Sequence, residues 1–173
     1  MKIKSSFFAL LVAVAALSSC GKEDPVSADL STRATITGLV RGNIDFTNDF
    51  ITQEIEVEGE IVVDTIPTVV FEPLEGVRIF ARFSTADLTT VNQPGYPYPA
   101  QIVEATTNAD GRYTLTIPAG TKTVGVTVDG NDFEVDLILE DNQTERVIMG
   151  TNAATVNVTQ NETRVVDFTY SIN

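Results

Sequence analysis

The feature that most constrains the fold is apolar alternation with a period of two, repeated along the chain and broken by turn residues. Ile36, Gly38 and Val40 share one face of a first run, and Val77, Ile79, Ala81 and Phe83 alternate with Arg78, Phe80 and Arg82. Tyr113, Leu115 and Ile117 follow the turn residues Asn108–Gly111, and Val124, Val126 and Val128 follow Pro118–Thr121. Phe133, Val135 and Leu137 alternate with Asp132, Glu134 and Asp136. Successive side chains of an extended backbone point to opposite sides, so each run offers one face to a core and one to water. Late strands are expected at 146–149, 154–158 and 164–172, and no useful run repeats with the helical period of 3.6 after residue 20. Seven or more short strands with this spacing predict an all-β fold, an antiparallel β-sandwich.

About thirty residues between Val40 and Glu72 interrupt this rhythm. They contain Glu54-Ile55-Glu56-Val57-Glu58-Gly59-Glu60-Ile61, which reads as an inserted hairpin or a lengthened edge strand. Ile55, Val57, Ile61 and Val63 are placed on one face. The four glutamates are placed on the other, where charge discourages edge-to-edge aggregation.

The N-terminus carries an address. Lys2 and Lys4 precede an apolar stretch from Phe7 to Leu17, which is about half of the roughly 20 residues that a spanning helix needs. A charged start, an apolar middle and small residues before a cut describe a secretory signal peptide. Leu17-Ser18-Ser19-Cys20 resembles a lipobox, and this implies acylation of Cys20, palmitate included, after removal of a leader at 1–19. Gly21-Lys22-Glu23-Asp24-Pro25 resembles the acidic export signal of surface lipoproteins in certain anaerobic Gram-negative bacteria. The organisation expected is a lipidated N-terminus and flexible tether over 20–33, then one sandwich domain over 34–173, on the outer membrane and exposed at the cell surface.

Charge and residue usage exclude several chemistries. Loss of Lys2 and Lys4 leaves nine cations against 24 acidic residues, a formal charge of −15. Such a surface repels nucleic-acid phosphates. The chain has no histidine and one cysteine, which removes Ser-His-Asp and Cys-His nucleophilic sites, His or Cys zinc sites and any intrachain disulfide. Paired carboxylates alone are able to hydrolyse glycosides, but here they fall in turns and on exposed strand faces, so no enzyme and no cofactor are expected.

The runs Thr35–Val40, Glu72-Pro73-Leu74-Glu75-Gly76-Val77-Arg78-Ile79, Ala105–Leu115 and Ile117-Pro118-Ala119-Gly120 together resemble the carboxypeptidase regulatory-like domain. That family is a transthyretin-like β-sandwich, an accessory module of secreted and surface proteins without catalytic residues of its own. The resemblance spans roughly Thr35 to Val128, and the segment between Val40 and Glu72 departs from it.

Three places invite a site. Asp129, Asn131 and Asp132, with Glu134 and Asp136 nearby, offer the oxygen donors that calcium prefers. They lack the full Asp-x-Asn-x-Asp-Gly loop with its distant glutamate, so a hairpin turn is the favoured reading there, as at Asn108 and Asp110. Gln93-Pro94-Gly95-Tyr96-Pro97-Tyr98-Pro99 should be a stiff loop whose Tyr96 and Tyr98 are the first choice for stacking on a sugar or a protein. Asp64-Thr65-Ile66 resembles a bacterial O-glycosylation motif, with Thr65 as the acceptor. The function expected is a non-catalytic, lipid-anchored binding or accessory module with a glycan or surface protein as partner. The alternative is an assembly protein that pairs an edge strand with a neighbour, in which the run from Arg164 to Tyr170 is either a last sandwich strand or a donated one.

Overall fold

The computed structural model describes residues 32–57, 59–89 and 91–173, so the leader, Cys20 and most of the tether lie outside the described residues. The alternating runs become strands: β1 (Arg33–Gly42), β2 (Phe50–Val57), β3 (Glu60–Pro67), β4 (Glu72–Pro73), β5 (Arg78–Ser84), β6 (Ala100–Thr106) and β7 (Arg112–Pro118). They continue with β8 (Val124–Gly130), β9 (Phe133–Ile138), β10 (Thr144–Gly150), β11 (Ala154–Val158), β12 (Thr163–Val165) and β13 (Phe168–Ile172). One sheet is built around β1, which has β7 and β4 antiparallel on one side and β12 and β13 parallel on the other, with β10 and β9 beyond β13. The second sheet runs β11-β8-β5-β6, all antiparallel.

The two sheets bury the faces that alternation marks. Ile36, Val40, Leu115, Ile117 and Tyr170 from the first meet Ile79, Ala81, Val124, Val126 and Val128 from the second, and all are shielded from water. Burying each of the valine, leucine and isoleucine side chains among them contributes about 1.5–3 kcal/mol. The fold is all-β and consistent with a sandwich, as expected, but the first sheet is mixed rather than purely antiparallel. The run from Arg164 to Tyr170 explains this, because it returns parallel to β1 within the chain's own sheet.

The run is broken at Val166-Asp167, where backbone and side chains lock together. Val166 N–H donates to the Thr37 carbonyl at 2.8 Å, and the Asp167 carboxylate replaces a ladder carbonyl by accepting from Leu39 N–H at 2.8 Å. The buried Tyr113 hydroxyl donates to the Val166 carbonyl at 2.6 Å. A Cβ on Gly38 would stand 1.8 Å from that same carbonyl oxygen, so glycine is what lets the break pack over β1.

The turns expected as hairpins at Asn108–Gly111 and Asp129–Asp132, and the reversal at Pro118–Thr121, do not join neighbouring strands of one sheet. Asn108–Gly111, Pro118–Thr121 and Asp129–Asp132 each carry the chain from one sheet to the other, since β6 and β8 belong to the second sheet while β7 and β9 belong to the first. Turn chemistry is the same in both cases. Asn108 accepts from Asp110 N–H and Arg112 N–H, closing its turn as an Asx motif.

The insertion is a hairpin, β2 paired with β3, in a two-stranded sheet of its own. Its register corrects the expected faces. Two residues separate the strands, so Val57 pairs with Glu60, Ile55 with Val62 and Glu56 with Ile61. Odd positions of β2 therefore share a face with even positions of β3. Ile55 and Val57 lie with Val62 and Glu60, while Glu54 and Glu56 lie with Val63 and Ile61, so neither face is apolar and the glutamates do not share one. The base is firmly held. The Asp49 carboxylate accepts from Asn43 Nδ2 at 2.6 Å and Val70 N–H at 2.7 Å, and that of Glu72 accepts from Ile44 N–H at 3.1 Å and Asn48 Nδ2 at 2.9 Å.

Candidate functional site

The inward phase of β5 fills the core, which leaves Arg78, Phe80 and Arg82 on the outer face of the second sheet. Phe80 is half-buried there, an aromatic ring set among polar neighbours on the outer face. Pairing fixes its neighbours. Phe80 lies between Glu104 on β6 and Asp129 on β8, while Arg82 lies between Ile102 and Thr127. Along β5, Arg78 and Arg82 stand on either side of the ring. Phe80 thus sits at the centre of a cross, with cations along the strand and carboxylates across it.

Geometry around the ring is partly fixed. Arg78 Nη2 donates to Glu104 Oε2 at 2.5 Å, which holds both side chains beside the ring. Both partners are more than half exposed, so the pair adds at most about 1 kcal/mol to stability. Asp129 Oδ1 accepts from Gly130 N–H at 2.9 Å. A shallow depression of about 290 Å³ is lined by Arg78, Phe80, Arg82, Ile102, Glu104 and Asn131. It presents an apolar centre rimmed by forked donors, the Glu104 carboxylate and an amide, the mix of groups that fixes a polar ligand with an apolar face.

The tyrosine loop is a separate feature between the end of β5 and the start of β6. Gln93-Pro94-Gly95-Tyr96 forms a type II turn, closed by Tyr96 N–H on the Gln93 carbonyl at 3.2 Å and made by the positive φ of Gly95, +79°. The Tyr98 hydroxyl accepts from Gln93 N–H at 2.7 Å, and Tyr96 meets Tyr98 edge to face with centroids 4.9 Å apart. The rings pack on each other. Tyr96 stays exposed at the tip while Tyr98 is half-buried in loop contacts.

The acidic run does not converge. Asp129 faces outward on the second sheet, Asp132 accepts from Asn173 Nδ2 at 3.2 Å, and the Asn131 carbonyl accepts from the Tyr170 hydroxyl at 3.2 Å. Glu134 and Asp136 both meet Arg146 on the first sheet. The hydrogen bond from Arg146, then its charge, hold the Asp136 carboxyl below its usual range. Among the described residues no group of three or more acidic side chains is placed to hold a metal. Thr65 is exposed on β3, opposite Thr52.

The cluster around Phe80 was missed by reading runs one at a time. Its signal was present in the outward phase Arg78-Phe80-Arg82. The facing residues Ile102 and Glu104 belong to β6, whose Gln101-Ile102-Val103-Glu104 has no clean alternation.

No protein-family model and no curated protein matches the chain. A solved structure from Pseudomonas aeruginosa, of a protein assigned carbohydrate binding by conjecture, aligns with 83% of this chain and 92% of its own at 14% identity and a TM-score of 0.41.

Proposed function

We propose that this chain is a non-catalytic binding module, anchored through a lipid on Cys20 at the outer surface of the cell, that takes a carbohydrate on the Phe80 platform. One observation carries the ligand reading. Phe80 lies in the outward phase of β5, with Arg78, Arg82, Glu104 and Asp129 around its ring. A pyranose has one face of C–H groups and a rim of hydroxyls, which an aromatic floor and alternating donors and acceptors match. The reading departs from the first choice made on sequence, because Tyr96 and Tyr98 pack edge to face on each other and their loop is a second, smaller aromatic surface. The resemblance to carboxypeptidase regulatory-like domains supports an accessory role. A chain without histidine, in which Glu104, Asp136 and Glu162 are tied to arginines, supports a role without catalysis.

A glycan array tests the ligand reading, with the protein run beside Phe80→Ala and beside the double variant Tyr96→Ala, Tyr98→Ala. Binding lost in Phe80→Ala and kept in the double variant is the expected result. Loss in the double variant alone moves the site to the loop. A blank array from folded protein removes the carbohydrate reading. Cys20→Ser, followed by mass spectrometry for acyl chains and by protease shaving of whole cells, tests the anchor and the surface location.

A further inference from the structure

Independently of the sugar platform, the β2–β3 ribbon has the chemistry of a docking strand. Phe50, Ile51, Ile61, Val62, Val63 and Ile66 are large apolar side chains left exposed on it, and both of its faces are mixed. Among the described residues each strand has one partner, so each has an unpaired edge. An isolated two-stranded ribbon is marginal in water, and exposed apolar area on such an element marks an interaction surface.

The edges differ. β2 carries Glu54 and Glu56 near its centre, which guard it against pairing, whereas β3 reads Ile61-Val62-Val63-Asp64-Thr65-Ile66 with one charge. With a two-residue turn, Val57–Glu60 is a hydrogen-bonded pair and alternate pairs are not, which turns the N–H groups of Ile61, Val63 and Thr65 away from β2. The ribbon therefore shows a row of free donors beside aliphatic side chains, on a base that Asp49 and Glu72 hold in place.

Charge chooses the occupant. From Gly42 to Val77 the chain has no lysine or arginine, while it has Asp45, Asp49, Glu54, Glu56, Glu58, Glu60, Asp64, Glu72 and Glu75. A second copy would bring the same acidic ribbon, and an anionic lipid surface the same sign of charge, so both are repelled. We propose that the free edge of β3 receives an extended segment of a basic protein, one that alternates lysine or arginine with aliphatic residues and adds as a third strand. Backbone hydrogen bonds supply the pairing, aliphatic contacts fill the apolar positions, and the cations answer the glutamates.

The probe is a synthetic fluorescent peptide alternating lysine and valine over about eight residues, the length of an ordinary strand. Its titration into the protein is followed by anisotropy, beside a glutamate–valine peptide and a peptide with the lysines in one block. Two variants are compared. Val63→Pro removes an outward N–H without removing a hairpin bond, and the triple variant Glu54→Gln, Glu56→Gln, Glu60→Gln keeps the ribbon but lowers its charge. The expected result is binding of the alternating lysine peptide alone, weakened about tenfold or more by each variant, with the triple variant also losing most of the salt dependence. Equal binding of the block peptide, no effect of Val63→Pro, or no binding to the unaltered protein overturns the proposal. A concentration-dependent dimer that Val63→Pro abolishes also overturns it, in favour of a second copy.

Discussion

Strands β8 and β3 are made of the same residue types and end in opposite environments. In β8, Val124, Val126 and Val128 alternate with glycine, threonine and aspartate, and all three valines are fully buried. In β3, Ile61, Val62 and Val63 are consecutive, and every residue of the strand is exposed. What buries a strand here is phase. Alternation gives β8 one apolar face to set against a second layer, whereas consecutive aliphatics give β3 half an apolar face on each side, and among the described residues no layer covers either.

Truncation separates the two regions most sharply. Leu115→Ala, in the buried face of β7, is expected to cost about 2–5 kcal/mol. It should appear as a lower urea midpoint at an unchanged slope. Ile61→Ala, at a site 71% exposed, is expected to cost less than about 0.5 kcal/mol. Comparable losses at the two sites would mean that the ribbon is buried in solution.

The next effect sharpens the contrast by removing a single atom from the sandwich. Tyr113→Phe deletes the donor to the buried Val166 carbonyl and is expected to cost about 1–3 kcal/mol. The same hydroxyl makes stability depend on alkaline pH. Burial, then the nearby Asp167 charge, raise the Tyr113 phenol, and burial, then Asp129 and Asp132, raise that of Tyr170. Their neutral forms are favoured in the fold. The stability they contribute is whole below the ordinary tyrosine value of about 10 and is lost as pH climbs above it. Thermal melts from pH 8 to 11 should fall steeply at the top of the range in the unaltered protein and less steeply in Tyr113→Phe. Equal slopes would sink that assignment.

The sandwich was legible in the sequence because its strands report their phase. Runs such as Val77–Phe83 and Tyr113–Ile117 name the buried face residue by residue, and the structure buries those residues. Connectivity was less legible. Asn108, Pro118 and Asp129 mark turns correctly, but turn chemistry is local and does not tell whether the next strand pairs with the last one or crosses to the other sheet. The ribbon's faces depended on loop length, since a two-residue turn reverses the parity of β3 relative to β2. The Phe80 cluster was half legible. The outward phase of β5 was visible, but its partners on β6 and β8 are set by long-range pairing that no single run contains.

The smallest effect on the sandwich should come from the joint between the two regions. Asp49 accepts from Asn43 Nδ2 and from Val70 N–H, and its own carbonyl accepts from Thr68 N–H at 3.0 Å, so it fastens both ends of the ribbon. Asp49→Ala removes the two side-chain bonds, which bind a charged acceptor at a half-buried position. The local cost should be about 1–2 kcal/mol. If the ribbon opens as a unit of its own, this cost is confined to local unfolding and speeds hydrogen exchange of the β2 and β3 amides about tenfold. Amides of β8, which exchange only when the sandwich unfolds, should keep their rates. Faster exchange in both would show that the ribbon and the sandwich open together, and the separation drawn between β3 and β8 would then hold for burial but not for cooperativity.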